Sequence, residues 1–438
     1  MTLATPITVI RGRFLDIQKT VAQANQIADQ VRYLEDGVII TEQGKIRWFG
    51  TWNDAQDHLP INIEIQHYPE QLIIPGMIDT HIHFPQTEMV GAYGEQLLSW
   101  LNTYTFPTEI QFKNKAYASE IAKFFVNELL KNGTTTALVF CTVHPESVDA
   151  LFEAAEQHQM RLIAGKVMMD RHAPEALCDS ADSSYDDSKA LIEKWHGQGR
   201  ALYAITPRFA PTSTPEQLER AGQLKAEYPD VYVHTHLSEN KDEIAWVKDL
   251  FPEQKGYLDV YHHYGLTGNR SVFAHCVHLE DAEWQCMHET DSAIAFCPTS
   301  NLFLGSGLFP LNKTWQQQVK VGLGTDVGAG TSFSLLQTVN EAYKVQQLQG
   351  DKLSAYESLY HATLGGAKAL DLDDKLGNFN VGKEADFVVL NLKPTALQQL
   401  RQSRSKSLED SLFALFTMGD DRNVEATYIY GQKAYSQS

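Results

Sequence analysis

The sequence predicts an α/β protein: a (β/α)8 TIM-like barrel with a small β domain built from the N- and C-terminal segments. Three observations predict it. Both ends of the chain read as short strands joined by turns, the middle alternates β-branched runs with helix-length segments, and those runs number eight. Alternation of strand and helix implies a parallel sheet, and eight repeats fit a closed barrel. The 438 residues suffice, since such a barrel takes about 250 by itself.

Taken in order, the first element is the strand-and-turn texture of TVIRGRFLDI and GVIITEQGKIRWFG, with Gly at the turns. The eight runs follow as IIPGMIDTHIHF, TTTALVF, RLIAGKVMM, ALYAITPRF, VYVHTHLSE, SVFAHC, AIAFCP and KVGLGTDV. Between the first two, EIAKFFVNELLKNG has helical spacing and a Gly stop. The chain then returns to β texture in KEADFVVLNL and VEATYIYGQKAYS. Chain ends often lie close together, so residues 1–74 and 376–438 are assigned to one composite β-sandwich and 75–375 to the barrel. An open doubly wound sheet is the alternative, but no GxGxxG or GxxxxGK[ST] stands at a strand end.

Composition narrows the function. Lys plus Arg number 36 against 55 Asp plus Glu, a formal charge of −19. That balance argues against nucleic acid, whose binding is dominated by cationic contacts. No run approaches the ~18 apolar residues of a membrane span. The N-terminus lacks a basic region followed by an apolar core, so no signal peptide is read and a cytoplasmic protein is expected. The five Cys contain no CxxC, which suits reduced thiols rather than a disulfide frame.

Polar residues stand at the ends of several runs: His81 and His83 on the first, Arg208 on the fourth, His236 on the fifth with Glu239 just beyond, His275 on the sixth and Asp326 on the eighth. In a barrel these ends surround one pocket. His81 and His83 are two apart, so both imidazoles share a face. Alone they could be a hydrogen-bonded core pair. With His236 and Asp326 they make three imidazoles and a carboxylate, a donor set that suits zinc or iron and leaves room for water or substrate. Asp326 follows GLGT, where Gly permits close backbone approach. Glu239 reads either as a helix N-terminal carboxylate or as a general acid/base at the rim. His275 is a core or a pocket residue. Arg208 presents a planar fork to adjacent acceptors on a flat ligand, or else pairs with a neighbouring carboxylate.

PGMIDTHIHF, HTHLSE, FAHC and GLGTDVGAG together resemble the amidohydrolase superfamily, over essentially the whole chain. LLSWLNTYTFPTE (97–109), ITPRFAPTST (205–214) and FCPTSNLFLGSG (296–307) are similar to segments of its guanine-deaminating branch. The resemblance implies that His81, His83, His236 and Asp326 bind one Zn2+, with Fe2+ as the alternative. It implies that Glu239 shuttles protons, with His275 and Asp326 as the other catalytic groups. Gln86, Arg208, Phe209, His236 and His275 would contact the substrate, with Trp100 and Phe106 as walls. Guanine and water are the implied reactants, xanthine and ammonia the products, and a homodimer the implied assembly. Binuclear members carry a carboxylated Lys on the fourth strand; that run has none here, and Lys166 falls on the third, so a single metal is expected.

Recognition has a physical reason. Arg meets the neighbouring O6 and N7 acceptors of guanine, as in DNA grooves. The Gln86 amide can face a mixed N–H and N edge. Phe209 can stack on the ring or fill core. A deaminase of another base or modified purine, or a triazine chlorohydrolase, would share the metal set, so Arg208 and Gln86 discriminate. A non-catalytic barrel would have lost a ligand, and none is lost. His278-Leu279-Glu280 gives an HxE, but no PCxxC follows, which disfavours the cytidine deaminase type.

Overall fold

The structure, a computed structural model, describes residues 7–93 and 97–437. Residues 1–6 and 438, assigned above to the composite domain, lie outside the described residues. Four strands open the chain: β1 (Thr8–Ile17), β2 (Val31–Glu42), β3 (Lys45–Thr51) and β4 (Ile65–Pro75). The barrel strands follow as β5 (Met77–His83), β6 (Thr134–Phe140), β7 (Arg161–Gly165), the two-residue β8 (Val167–Met168), β9 (Leu202–Pro207), β10 (Tyr232–Leu237), β11 (Ser271–His275), β12 (Ala293–Phe296) and β13 (Lys320–Leu323). The chain closes with β14 (Phe387–Leu390), β15 (Val424–Ile429) and β16 (Gln432–Ser436).

Both ends of the chain share one seven-stranded mixed sheet, ordered β16-β15-β14-β4-β1-β2-β3. β1 runs parallel to β4 and every other pair is antiparallel. β4 is the hinge of the arrangement, since it pairs with β1 on one side and β14 on the other. The β2–β3 turn needs left-handed backbone at both Gln43 (φ +54°) and Gly44 (φ +76°), the primed geometry that matches strand twist. For the domain boundaries, the division at residues 75 and 375 stands as a proposal, supported by the passage from β4 to β5 between Pro75 and Met77.

β5, β6, β7 and β9 to β13 form a parallel, nearly closed barrel. β8 adds a short pairing to β9. The seam between β13 and β5 closes through polar bonds. Thr80 Oγ1 donates to Leu323 O at 3.0 Å. Asp79 accepts from the Thr325 N–H at 3.1 Å and from Thr325 Oγ1. The Asp326 N–H donates to His81 O at 2.9 Å, and the His83 N–H to Val327 O at 2.8 Å. Alternation sorts the strand residues. Ile163, Ala204, Tyr232, Val272 and Ala293 face the interior, against Ala367, Leu370 and Leu372. Leu162, Tyr203, Val233, Phe273 and Ile294 face the helices. The predicted helix runs from Lys115 to Lys131, capped by Asn114, whose side chain accepts from the Ala116 N–H; Gly133 follows at φ +77°.

The N-terminal floor of the barrel meets the composite sheet through buried charges. Arg161 opens β7, Arg200 precedes β9, and Glu384 and Asp386 precede β14. Arg161 Nη2 donates to Glu384 Oε1 at 2.5 Å, and Arg200 Nη2 to Glu384 Oε2 at 2.6 Å. Asp386 Oδ1 accepts from Arg200 Nη1 at 3.1 Å and from the Tyr430 N–H at 2.7 Å. Burial raises the Glu384 pKa, but the two guanidiniums outweigh it and hold the carboxyl below its usual range.

Candidate active site

The C-terminal ends of β5, β9, β10, β11 and β13 converge on one mouth, and the local backbone explains each side-chain direction. On β5, Ile78 faces the interior while Met77 and Ile82 face the helices. Alternation alone would not allow that. A register shift between Asp79 and Ile82 resets it, so that His81 and His83 point inward. On β10 the alternation is unbroken from Tyr232 through His234 to His236. Just after β13, Gly324 lies where an added Cβ would sit 2.9 Å from His81 Cβ and Cys297 Sγ, so the GLGT run does permit the close approach. On β11, Ala274 is interior, and alternation would turn His275 outward. A left-handed backbone at His275 (φ +71°) breaks the strand and turns it into the mouth. Asp326 (φ +51°) is also left-handed.

Four donors meet there. His81 Nε2 and His83 Nε2 are 3.2 Å apart, as are His83 Nε2 and His236 Nε2. Asp326 Oδ1 lies 3.2 Å from His81 Nε2 and 3.3 Å from His83 Nε2. Donors about 2.0–2.1 Å from one tetrahedral ion lie roughly 3.3 Å from each other, and these four separations match. His81, His83 and His236 form one cluster and His81, Asp326 and His275 a second that shares His81, so together they suit a divalent cation. The second nitrogens are braced: His236 Nδ1 bonds Arg208 O at 2.7 Å and His81 Nδ1 meets His234 Nε2 at 2.8 Å. Such bracing orients metal-binding imidazoles. Burial lowers all of these imidazoles, His83 to about 3, which keeps them neutral as a ligand must be. Burial opposes ionisation of Asp326, but the surrounding imidazoles prevail and hold it well below the carboxylate range.

Above the donors, His275 Nε2 stands 3.5 Å from Glu239 Oε2 and 3.8 Å from Asp326 Oδ2, with no hydrogen-bond partner among the described residues. Its Nδ1 meets Asn301 Oδ1 at 2.9 Å. Burial first, then the negative Asp326, raise Glu239 to about 8, against an opposing bond from Ser306 Oγ at 3.2 Å. A carboxyl protonated at neutral pH is one that can donate a proton. Glu239 is not the dipole carboxylate of the next helix. That helix, Lys241–Leu250, is capped by Asn240, and Glu243 closes the capping box.

His83, Gln86, Trp100, Arg208, Phe209, His236, Glu239, His275 and Asp326 all line this mouth, with His81 buried beneath. Phe106 packs on the Arg208 guanidinium at 5.6 Å. Phe209 meets Trp246 edge-on at 6.1 Å. Lys166 faces away, its ammonium bonded to Asp179 and to Val167 O. His278 bonds Ser306 O at 2.7 Å and Glu280 caps a helix, so the HxE is structural.

Several neighbours escaped the sequence reading. Glu109 is fully buried and bonds both Arg208 and Gln86. It lies in the 97–109 segment, where the aromatic residues drew attention and the carboxylate did not. His234 could have been found, because HTH on the fifth strand repeats the HxH spacing of the first. Asn301 and Ser306 carry no signal beyond their segment.

A parallel barrel with this donor set at its C-terminal mouth defines a class, the hydrolases built to hold a divalent cation. Residues 72–434 match the model of the amidohydrolase family. Guanine deaminase of Escherichia coli (strain K12) is 62% identical over 432 residues, 99% of this chain and 98% of that one. A solved structure of the E. coli guanine deaminase superposes with a TM-score of 0.96 at 60% identity, covering 99% of this chain and 100% of that chain. Guanine deaminase from C. acetobutylicum, with guanine bound in its active site, gives a TM-score of 0.88 at 31% identity over 98% of this chain and 100% of that chain. The chain belongs to the amidohydrolase family, in the branch of the guanine deaminases.

Proposed function

We propose that the protein hydrolyses guanine at C2 to xanthine and ammonia, with the mouth residues dividing the work as follows. The observation that carries this reading is the convergence of the His81, His83, His236 and Asp326 donors, linked pairwise at 3.2–3.3 Å, on a pocket lined by Glu239, Arg208 and Phe209. The four donors would hold one zinc ion, or iron, which when bound lowers the pKa of water toward about 7 and so makes a nucleophile available at neutral pH. The position of Lys166 away from the donors supports a single ion.

Arg208 grips O6 and N7 of the base, and Phe209 packs on its face. Asp326, kept ionised, takes the proton of the water that attacks C2. Glu239, protonated at neutral pH, gives its proton to N3 and draws electron density from C2. The carboxylate left on Glu239 then takes the proton of the new C2 hydroxyl and passes it to the amino nitrogen. The C2–N bond breaks with release of ammonia as the C2 carbonyl forms, and the proton held by Asp326 returns to Glu239. Acid–base help of this kind contributes about 10²–10⁴-fold. His275 presents Nε2 between the two carboxylates and steadies charge as it moves.

Purified protein incubated with guanine should release xanthine and ammonia in equal amounts, and adenine and cytosine should give none. Turnover of another base in preference to guanine would overturn the assignment. Five free thiols support a reducing, cytoplasmic setting, and no described helix is long and apolar enough to cross a membrane. A homodimer is proposed from the family resemblance, and sedimentation at working concentration tests it.

A further inference from the structure

Glu109 ends a short helical turn, Phe106–Glu109, and is fully buried. Its Oε1 and Oε2 accept from Arg208 Nη1 at 3.0 and 2.8 Å. Oε1 also accepts from Gln86 Nε2 at 3.2 Å. The Gln86 amide meets His83 Nδ1 at 3.2 Å and accepts the Gly328 N–H at 3.2 Å. One carboxylate thus joins the arginine of the pocket, the neighbouring amide and, through that amide, one of the four donor imidazoles.

Two consequences follow from the chemistry. First, Glu109 uses only Nη1 of Arg208, so it sets the plane of the guanidinium and leaves Nε and Nη2 to face a ligand. Second, it balances the charge. A buried guanidinium without a partner would favour an anion over a neutral ring, because an uncompensated buried charge is costly. Guanine is neutral at physiological pH, whereas xanthine ionises more readily. The buried pair therefore suits the substrate and disfavours the ionised product. Gln86 gives one amide hydrogen to Glu109 and accepts the Gly328 N–H on its oxygen, so its amide is held in one orientation beside Arg208.

We propose that Glu109 is a positioning and specificity-determining residue, which aims Arg208 at the neutral purine and, by cancelling its charge, keeps the pocket from retaining the anionic product. The proposal rests on the reading that Arg208 contacts the base.

The test uses the metal-loaded enzyme and follows the KM for guanine together with product inhibition by xanthine at a mildly alkaline pH. Glu109→Gln removes the charge and opposes an amide donor to that of Gln86. The KM for guanine should rise on the order of tenfold, while the Ki for xanthinate falls roughly tenfold. General structural damage would weaken both, so opposite movements identify the charge effect. Glu109→Asp keeps the charge but shortens the reach; it should raise KM and leave Ki unchanged, and it serves if the Gln variant does not fold. Arg208→Ala separates the two failures. If it leaves the guanine KM unaltered, the substrate contact itself is wrong. If it raises KM while Glu109→Gln changes neither constant, or weakens both, the inference about Glu109 is overturned. An unchanged KM in Glu109→Asp overturns it as well.

Discussion

The barrel buries a polar cluster at each end and treats the two differently. At the floor, Arg161 and Arg200 meet Glu384 and Asp386, opposite charges with their hydrogen bonds largely made between them. At the mouth, three imidazole nitrogens and one carboxylate oxygen face one another, and His275 Nε2 has no hydrogen-bond partner among the described residues. Buried polar groups ordinarily find partners. A cluster of mutually facing donors is therefore a place where the fold has been shaped for a ligand rather than for itself. Burial and polarity are shared by both ends, and only the sign and aim of the groups tell a joint from an active site.

The comparison can be broken or sharpened by experiment. Chelation should have the largest effect, abolishing turnover until zinc is restored, with about one ion bound per chain; two tightly held ions by elemental analysis would refute the single-ion mouth. Glu239→Gln should lower kcat by about 10²–10⁴ while metal content and thermal stability hold. Near-normal kcat would take Glu239 out of the proton path, and a collapse in stability would make the mouth resemble the floor. Arg200→Met should do the reverse. It leaves Glu384 and Asp386 short of a partner at the joint, which costs about 3–5 kcal/mol in denaturant unfolding, with kcat of the folded fraction retained.

The smallest effect is on pH dependence. The Glu384 pKa is lower in the fold than in the unfolded chain, where it is about 4.3. Its stabilisation is complete above that value and is lost as pH falls through the folded value. Unfolding below pH 4 should therefore depend less steeply on pH in Arg200→Met than in the parent; equal slopes would mean that the pair contributes nothing to acid stability.

Much of the mouth was legible in the sequence. Period-2 spacing put His83 on the face of His81, and strand-end position gathered His236, Arg208 and Asp326. The floor was not legible, because Arg161 and Glu384 are 223 residues apart and look like ordinary surface charges in isolation. Glu109 was missed for the same reason. The sequence reading did pose its existence as an alternative, a carboxylate paired with Arg208, but a pair 99 residues apart has no local signature. Arg208 proves to be paired and still to line the pocket, so the two readings of that residue were not exclusive.

By itself the sequence determined the eight strands of the barrel, the small β domain from both chain ends and the residue types at the mouth, since alternation, turn chemistry and strand-end polarity are local properties of the chain. It did not separate β4, whose end it joined to β5. Only the tertiary structure decided where the side chains aim and which of them are satisfied. The register shift in β5, the left-handed turn at His275 and the pairing of Arg208 with Glu109 arise from packing against distant strands, and a local pattern holds no record of such contacts.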